Sequence, residues 1–175
     1  MRFTLVDRIV HLEPGAQIAT IKTLSLAEEY LADHFPLFPV MPGVLMLEAM
    51  TQAGAWLVRV SEDFAHSIVI LKQARNLRFK NFVAPGQVLN VTAKIVQQDE
   101  RETHLEVQGT VGGNAAVSGR LVLERSNLAD TRPELAASDE YLKRSLRGLL
   151  SILYSPPTTN SADQNGSPMA TGGKA

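Results

Sequence analysis

The 175-residue sequence contains no cysteine. Disulfide bonds, thiolate nucleophiles and cysteine-ligated metals are therefore excluded. An excess of either charge is also missing: 17 Lys+Arg stand against 18 Asp+Glu, a formal net charge of -1. A nucleic-acid binder usually carries a basic excess, so that class of partner is not expected. The opening stretch lacks the apolar run of a secretory signal, because Asp7, Arg8 and Glu13 interrupt it. A cytoplasmic protein is the expectation. No internal repeat is visible. The longest apolar stretch, 42–58, is slightly short for a membrane span and holds Glu48 and Gln52 in its middle. A charge at mid-bilayer costs ~3 kcal/mol or more, so this stretch reads as a buried helix of a soluble domain.

What is present alternates between strand and turn signals. Segments 3–12 and 17–26 are β-rich and are separated by Glu13-Pro14-Gly15-Ala16, a hairpin-turn composition. Residues from Ser25 to Phe35 read as a short helical or irregular connection. Pro36, Pro39 and Pro42 then forbid helix and fix an extended path. The apolar helix follows, with Pro42 suited to its first turn. Five β-type segments come next: His66–Lys72, Leu77–Phe82, Val88–Gln97, Thr103–Val111 and Ala115–Glu124, with turns at Pro85-Gly86 and Gly112-Gly113. Strands at hairpin distances give an antiparallel sheet, and one apolar helix buried against it makes an α+β layer arrangement.

The C-terminal part differs in kind. Residues 126–137 look like a linker. Across 138–153, Leu142, Leu146, Leu149, Leu150 and Leu153 recur at helical spacing, with Ser138 as the expected N-cap. Lys143, Arg144 and Arg147 lie off that stripe. The helix can pack on its own domain, or meet a membrane surface or an acidic carrier. Residues 155–175 are polar and of low complexity, and disorder is expected there. The chain thus divides into 1–125, 126–154 and 155–175.

One constellation carries chemistry. His34 lies in the rigid loop, off any periodic apolar face. Glu48 lies inside the apolar helix, where a carboxylate is costly unless paired or protonated. Gln52 is four residues on, hence on the same face. Gly43 and Val44 sit where a helix leaves its first N–H groups unsatisfied, a ready site for a developing oxyanion. A base, an acid and an oxyanion site together suit removal of a proton beside a carbonyl with loss of a β-hydroxyl. His34 is the candidate base and Glu48 the candidate acid; Gly43 and Val44 would polarise a thioester carbonyl. Taken singly, the histidine could be solvated, the glutamate merely hydrogen-bonded, and Gly43 present for close packing.

The run His34-Phe35-Pro36, Pro39-Val40-Met41-Pro42-Gly43-Val44-Leu45, Glu48-Ala49 and Gln52 resembles the signature of FabZ-type 3-hydroxyacyl-acyl-carrier-protein dehydratases. Val6-Asp7-Arg8-Ile9-Val10, Leu12-Glu13-Pro14-Gly15, Arg78-Phe79 and Val83-Ala84-Pro85-Gly86 extend the likeness to about residues 1 to 125. The resemblance implies a hot-dog fold, in which an antiparallel sheet wraps a long central helix. It implies a homodimer or trimer of dimers, with the histidine and glutamate of one site drawn from different subunits. It implies a substrate carried on acyl carrier protein and no metal or redox cofactor. The glutamate favours the FabZ side over FabA-type relatives, which place aspartate there. The chain departs from the family at Asp33, where glycine is usual, at Leu37-Phe38, where Gly-His is usual, and at Phe82 and Gln87, where proline and aspartate are common. Leu37, Phe38 and Phe82 are therefore the candidate tunnel-mouth residues. Two other readings stay open: a hot-dog acyl-thioester hydrolase with Glu48 activating water, and a non-catalytic acyl-binding subunit. Acyl chain length is not legible.

Overall fold

The computed structural model describes residues 3–155. Six strands, β1 (Arg8–Glu13), β2 (Gln17–Thr23), β3 (Ile68–Phe79), β4 (Val88–Gln98), β5 (Glu102–Val111) and β6 (Asn114–Ser126), form one sheet in the order β1-β2-β4-β5-β6-β3. Every neighbouring pair is antiparallel. Helix α1 (Gly43–Ser61) lies in the concave face. Strand alternation decides which face that is: Leu89, Val91 and Ala93 of β4, with Leu105 and Val107 of β5, point at α1 and are buried. Gly54 allows that contact, because a Cβ there would stand 2.5 Å from Leu105 Cδ1. This is the hot-dog arrangement, and the expected α+β class is borne out.

The expected strands His66–Lys72 and Leu77–Phe82 are one strand, β3. Its pairing with β6 shifts register between Leu71 and Gln73 and again between Arg75 and Arg78, and Asn76 takes a positive φ of 54° inside the second irregularity. The bulges break the period-two pattern that made one strand look like two. β1 begins at Arg8, so residues 3–7 lead into the sheet rather than belong to it.

Helix α2 (Ala136–Leu153) starts two residues before Ser138, with Leu135 at the N-cap position and no side-chain cap. The expected capping role of Ser138 is thus not realised. Asp139 anchors the helix instead: its carboxylate accepts from Ser67 Oγ and from the backbone N–H groups of Leu128 and Ala129, the last two at 2.9 Å each. Leu146, Leu149, Leu150, Leu153 and Tyr154 pack on the core, so most of the leucine stripe faces the chain's own domain. Lys143 pairs with Glu140. Arg147 stands 4.9 Å over the Phe64 ring and donates to the Asp63 carbonyl at 2.7 Å. Asp63 and Phe64 have φ of 46° and 58°, costly for non-glycine residues. Arg147 and the burial of Phe64 hold that turn after α1. The expected disordered segment, 155–175, lies outside the described residues except for Ser155.

Burial alone would raise the Asp139 carboxyl, but the bonds from Ser67, Ala129 and Leu128 outweigh it and hold the group below its ordinary value. A depressed folded-state pKa adds stability above the unfolded-state value, ~3.9, and that stability is lost as pH falls through the folded-state value. Asp139→Asn is therefore expected to lower the melting temperature clearly at pH 7 and much less in strong acid. An equal loss at both pH values in thermal melts would contradict the carboxylate's anchoring role.

Candidate active site

The loop that carries His34 turns on itself and is tied down where it enters α1. Phe38 N–H donates to the Phe35 carbonyl at 2.9 Å, and Met41 N–H donates to the Val83 carbonyl at 2.9 Å. Val40 and Met41 are buried, so the loop is plugged into the core beside α1. His34 Nδ1 lies 3.1 Å from the Val40 carbonyl oxygen. A carbonyl can only accept, so Nδ1 carries a proton, and in the neutral ring Nε2 keeps its lone pair. That is the tautomer a general base requires.

His34 lines a cavity of about 220 Å³ with Gly43, Met46, Phe79 and Phe82. Gly43 and Val44 are the first two residues of α1; the first helical bonds run from Leu45 and Met46 N–H to the Pro42 carbonyl. The Gly43 and Val44 N–H groups therefore sit at the positive end of the helix, and Gly43 lines the His34 cavity. A Cβ on residue 43 would come within 3.1 Å of the Phe79 ring, so the glycine also lets that ring lie on the helix end. Both expected uses of Gly43, packing and an open N–H, are compatible with this geometry.

Of the three candidate tunnel residues, Phe82 lines the cavity. Phe38 meets it edge-on, with ring centroids 5.5 Å apart. Leu37 is fully exposed and touches no described cavity wall. Phe79 is the wall residue that sequence reasoning missed; its place beside Arg78 in the family-like segment was the available signal.

Glu48 is elsewhere. It is half-buried rather than enclosed, and its Oε1 accepts from Gln52 Nε2 at 2.8 Å. Gln52 is itself fixed, because its Oε1 accepts from Leu5 N–H at 2.8 Å and its Nε2 also reaches the Phe3 carbonyl at 3.0 Å. The pair lines a second cavity of about 290 Å³ with Trp56, Arg59, Leu71 and Leu149. Within one chain, then, His34 and Glu48 face different cavities, while His34 and Gly43 share one and Val44 lines neither. A larger depression of about 370 Å³ on the outer face of the sheet, lined by Arg78, Lys94 and Arg120, contains none of the candidate residues.

Comparison with known proteins places this geometry. A FabA-like domain family matches residues 1–125. The chain is 37% identical to a 3-hydroxyacyl-[acyl-carrier-protein] dehydratase FabZ of Ruminiclostridium cellulolyticum, over 68% of this chain and 84% of that protein. It is 36% identical to the FabZ of Bacillus subtilis, over 70% of this chain and 82% of that protein. Among solved structures, the dehydratase heterocomplex ApeI:P from Xenorhabdus doucetiae superposes with a TM-score of 0.60 at 21% identity, covering 76% of this chain and 90% of that one. The TT0310 protein of Thermus thermophilus superposes at 0.54 and 16% identity, over 69% and 92%. At those identities the structures speak for the fold alone. The family match and the two relatives speak for descent: this chain belongs to the FabA-like family, on its FabZ-type dehydratase side.

Proposed function

We propose that the protein removes water from a 3-hydroxyacyl thioester carried on acyl carrier protein, giving the trans-2-enoyl thioester. His34 Nε2 takes a proton from C2. The C2–H electron pair forms the C2=C3 bond, and the C3–O bond breaks. Glu48, in its acid form, protonates the departing hydroxyl, which leaves as water. Negative charge gathering on the thioester oxygen meets the Gly43 and Val44 N–H groups. Proton return from His34 to Glu48 through solvent restores the starting state.

The observation that carries this reading is the Val40 carbonyl on His34 Nδ1, which turns Nε2 toward use as a base in a cavity that Gly43, the first residue of α1, also lines. The separation of His34 from Glu48 supports a homodimer in which each site takes His34 from one subunit and Glu48 from the other. Phe35, Phe38, Val44, Phe79 and Phe82 are all more than half exposed, an apolar rim that a second copy would cover. In the same reading, residues 1–125 form the catalytic unit and 126–154 an appended anchor. No helix among the described residues is long and apolar enough to cross a membrane; a cytoplasmic location is part of the reading.

The test offers carrier-bound 3-hydroxyacyl chains of several lengths, and plain acyl thioesters beside them. Enoyl thioester with no release of free thiol is the expected product. Free thiol from the plain acyl substrates would instead make the protein a hydrolase.

A further inference from the structure

The cavity that holds Glu48 runs along one face of α1, and its far wall comes from α2, outside the segment the family covers. Glu48, Gln52, Trp56 and Arg59 recur at helical spacing and form one stripe. Eleven residues separate the ends of that stripe, ~16 Å along the helix axis. Val69 and Leu71 of β3 and Leu149 of α2 make the facing wall.

Arg59 is the anomaly in this wall. Its Nε is sealed from solvent and has no hydrogen-bond partner. Among the described residues its guanidinium enters no ion pair. It lies 5.7 Å over the Trp56 ring. Burial pushes its pKa down to about 10, so it remains a cation at neutral pH. A partly buried cation without a counter-charge is costly, and a ligand that brings one lowers the cost.

We propose that this cavity takes the substrate's acyl chain, and that Arg59 at its far end recognises a carboxylate carried on that chain. The proposal rests on the reading that Glu48 acts at C3. The chain leaves the reacting carbons at Glu48, passes Trp56 and Leu149, and ends against the guanidinium. A plain methyl terminus keeps the apolar contacts but brings no counter-charge to the guanidinium. The preferred substrate class is thus a medium-length 3-hydroxyacyl thioester with an ω-carboxylate, and α2 contributes to its selection through Leu149.

The test compares two medium-length 3-hydroxyacyl pantetheine thioesters of equal length on the full chain, one ending in a carboxylate and one in a methyl group. Wild type is expected to favour the carboxylate by about tenfold to hundredfold in kcat/KM, the range of a hydrogen bond to a charged group. Arg59→Met should bring that ratio to one or below, and Arg59→Lys should keep part of it. A wild-type ratio near one, or a ratio unchanged in Arg59→Met, overturns the proposal. A 3-hydroxybutyryl thioester, too short to reach Arg59, reports on dehydration itself. If wild type leaves it untouched, the dehydratase reading fails separately. Calorimetric binding of the two saturated, unreactive thioesters then decides for Arg59: tighter binding of the carboxylate supports it, and equal binding overturns it.

Discussion

Glu48→Gln and His34→Ala are each expected to lower turnover of a 3-hydroxyacyl thioester by ~10²- to 10⁴-fold, the range of a positioned acid or base. The amide of Glu48→Gln keeps the size of the side chain and can still meet Gln52, but it has no proton of useful acidity to give. The folds should survive, because Glu48 is half-buried and His34 sits in a loop. Equal melting temperatures would document that. The two dead variants are more informative together. After subunit exchange of an equal mixture of His34→Ala and Glu48→Ala chains, half the dimers are mixed and each mixed dimer holds one intact site. About a quarter of wild-type activity should therefore return. A mixture that stays inactive after verified exchange would place both residues of a site in one chain, against their separation into two cavities. Near wild-type turnover in either single variant would end the acid–base mechanism.

Glu62→Ala is expected to destabilise the protein by about 3–5 kcal/mol, because it strands a buried cation. Glu62 caps the C-terminal end of α1. Its Oε1 pairs with Arg125 Nη1 of β6 and accepts from Gln98 Nε2 at 2.7 Å, while its Oε2 faces His66 Nδ1 at 2.9 Å. Arg125 is 5% exposed and also donates to the Asp99 and Glu102 carbonyls. The cluster ties the end of the central helix to the turn between β4 and β5. Against a typical total of ~5–15 kcal/mol, the loss is large enough to unfold part of the population at room temperature. Urea denaturation measures it. The double variant Glu62→Leu/Arg125→Met should recover much of the loss, since removing both charges leaves nothing stranded. A single variant within about 1 kcal/mol of wild type would show that water already reaches Arg125.

The parts of the fold that were legible are those written in short-range chemistry. Pro42 and the apolar run gave α1, and the run extends three residues beyond Val58 to Ser61. Gly15, Gly112 and Gly113 take positive φ values of 77°, 56° and 82° in the turns where they were expected. The family-like run brought His34 and Gly43 to one cavity. What escaped depends on partners distant in sequence. Asp139 stands in the first turn of α2 beside the expected cap Ser138, but it binds Ser67, 72 residues away. Arg59 lies just past the apolar stretch 42–58, and only the folded chain brings β3 and α2 alongside it. The continuity of β3 was hidden because bulges are paid for by pairing with β6, and nothing in the strand's own residues announces that pairing.

Those bulges bear on how the free chain behaves. β3 is an edge strand of twelve residues, and an edge of that length is a template on which unrelated strands can grow. Two register breaks bend it, and Lys72, Arg75 and Arg78 stand along it. A flat, uncharged segment finds neither a straight ladder nor a neutral flank there. The irregularity that obscured the strand in the sequence thus protects the newly made chain from fibrillar growth, and it narrows the edge's productive partners to surfaces shaped to the same bends.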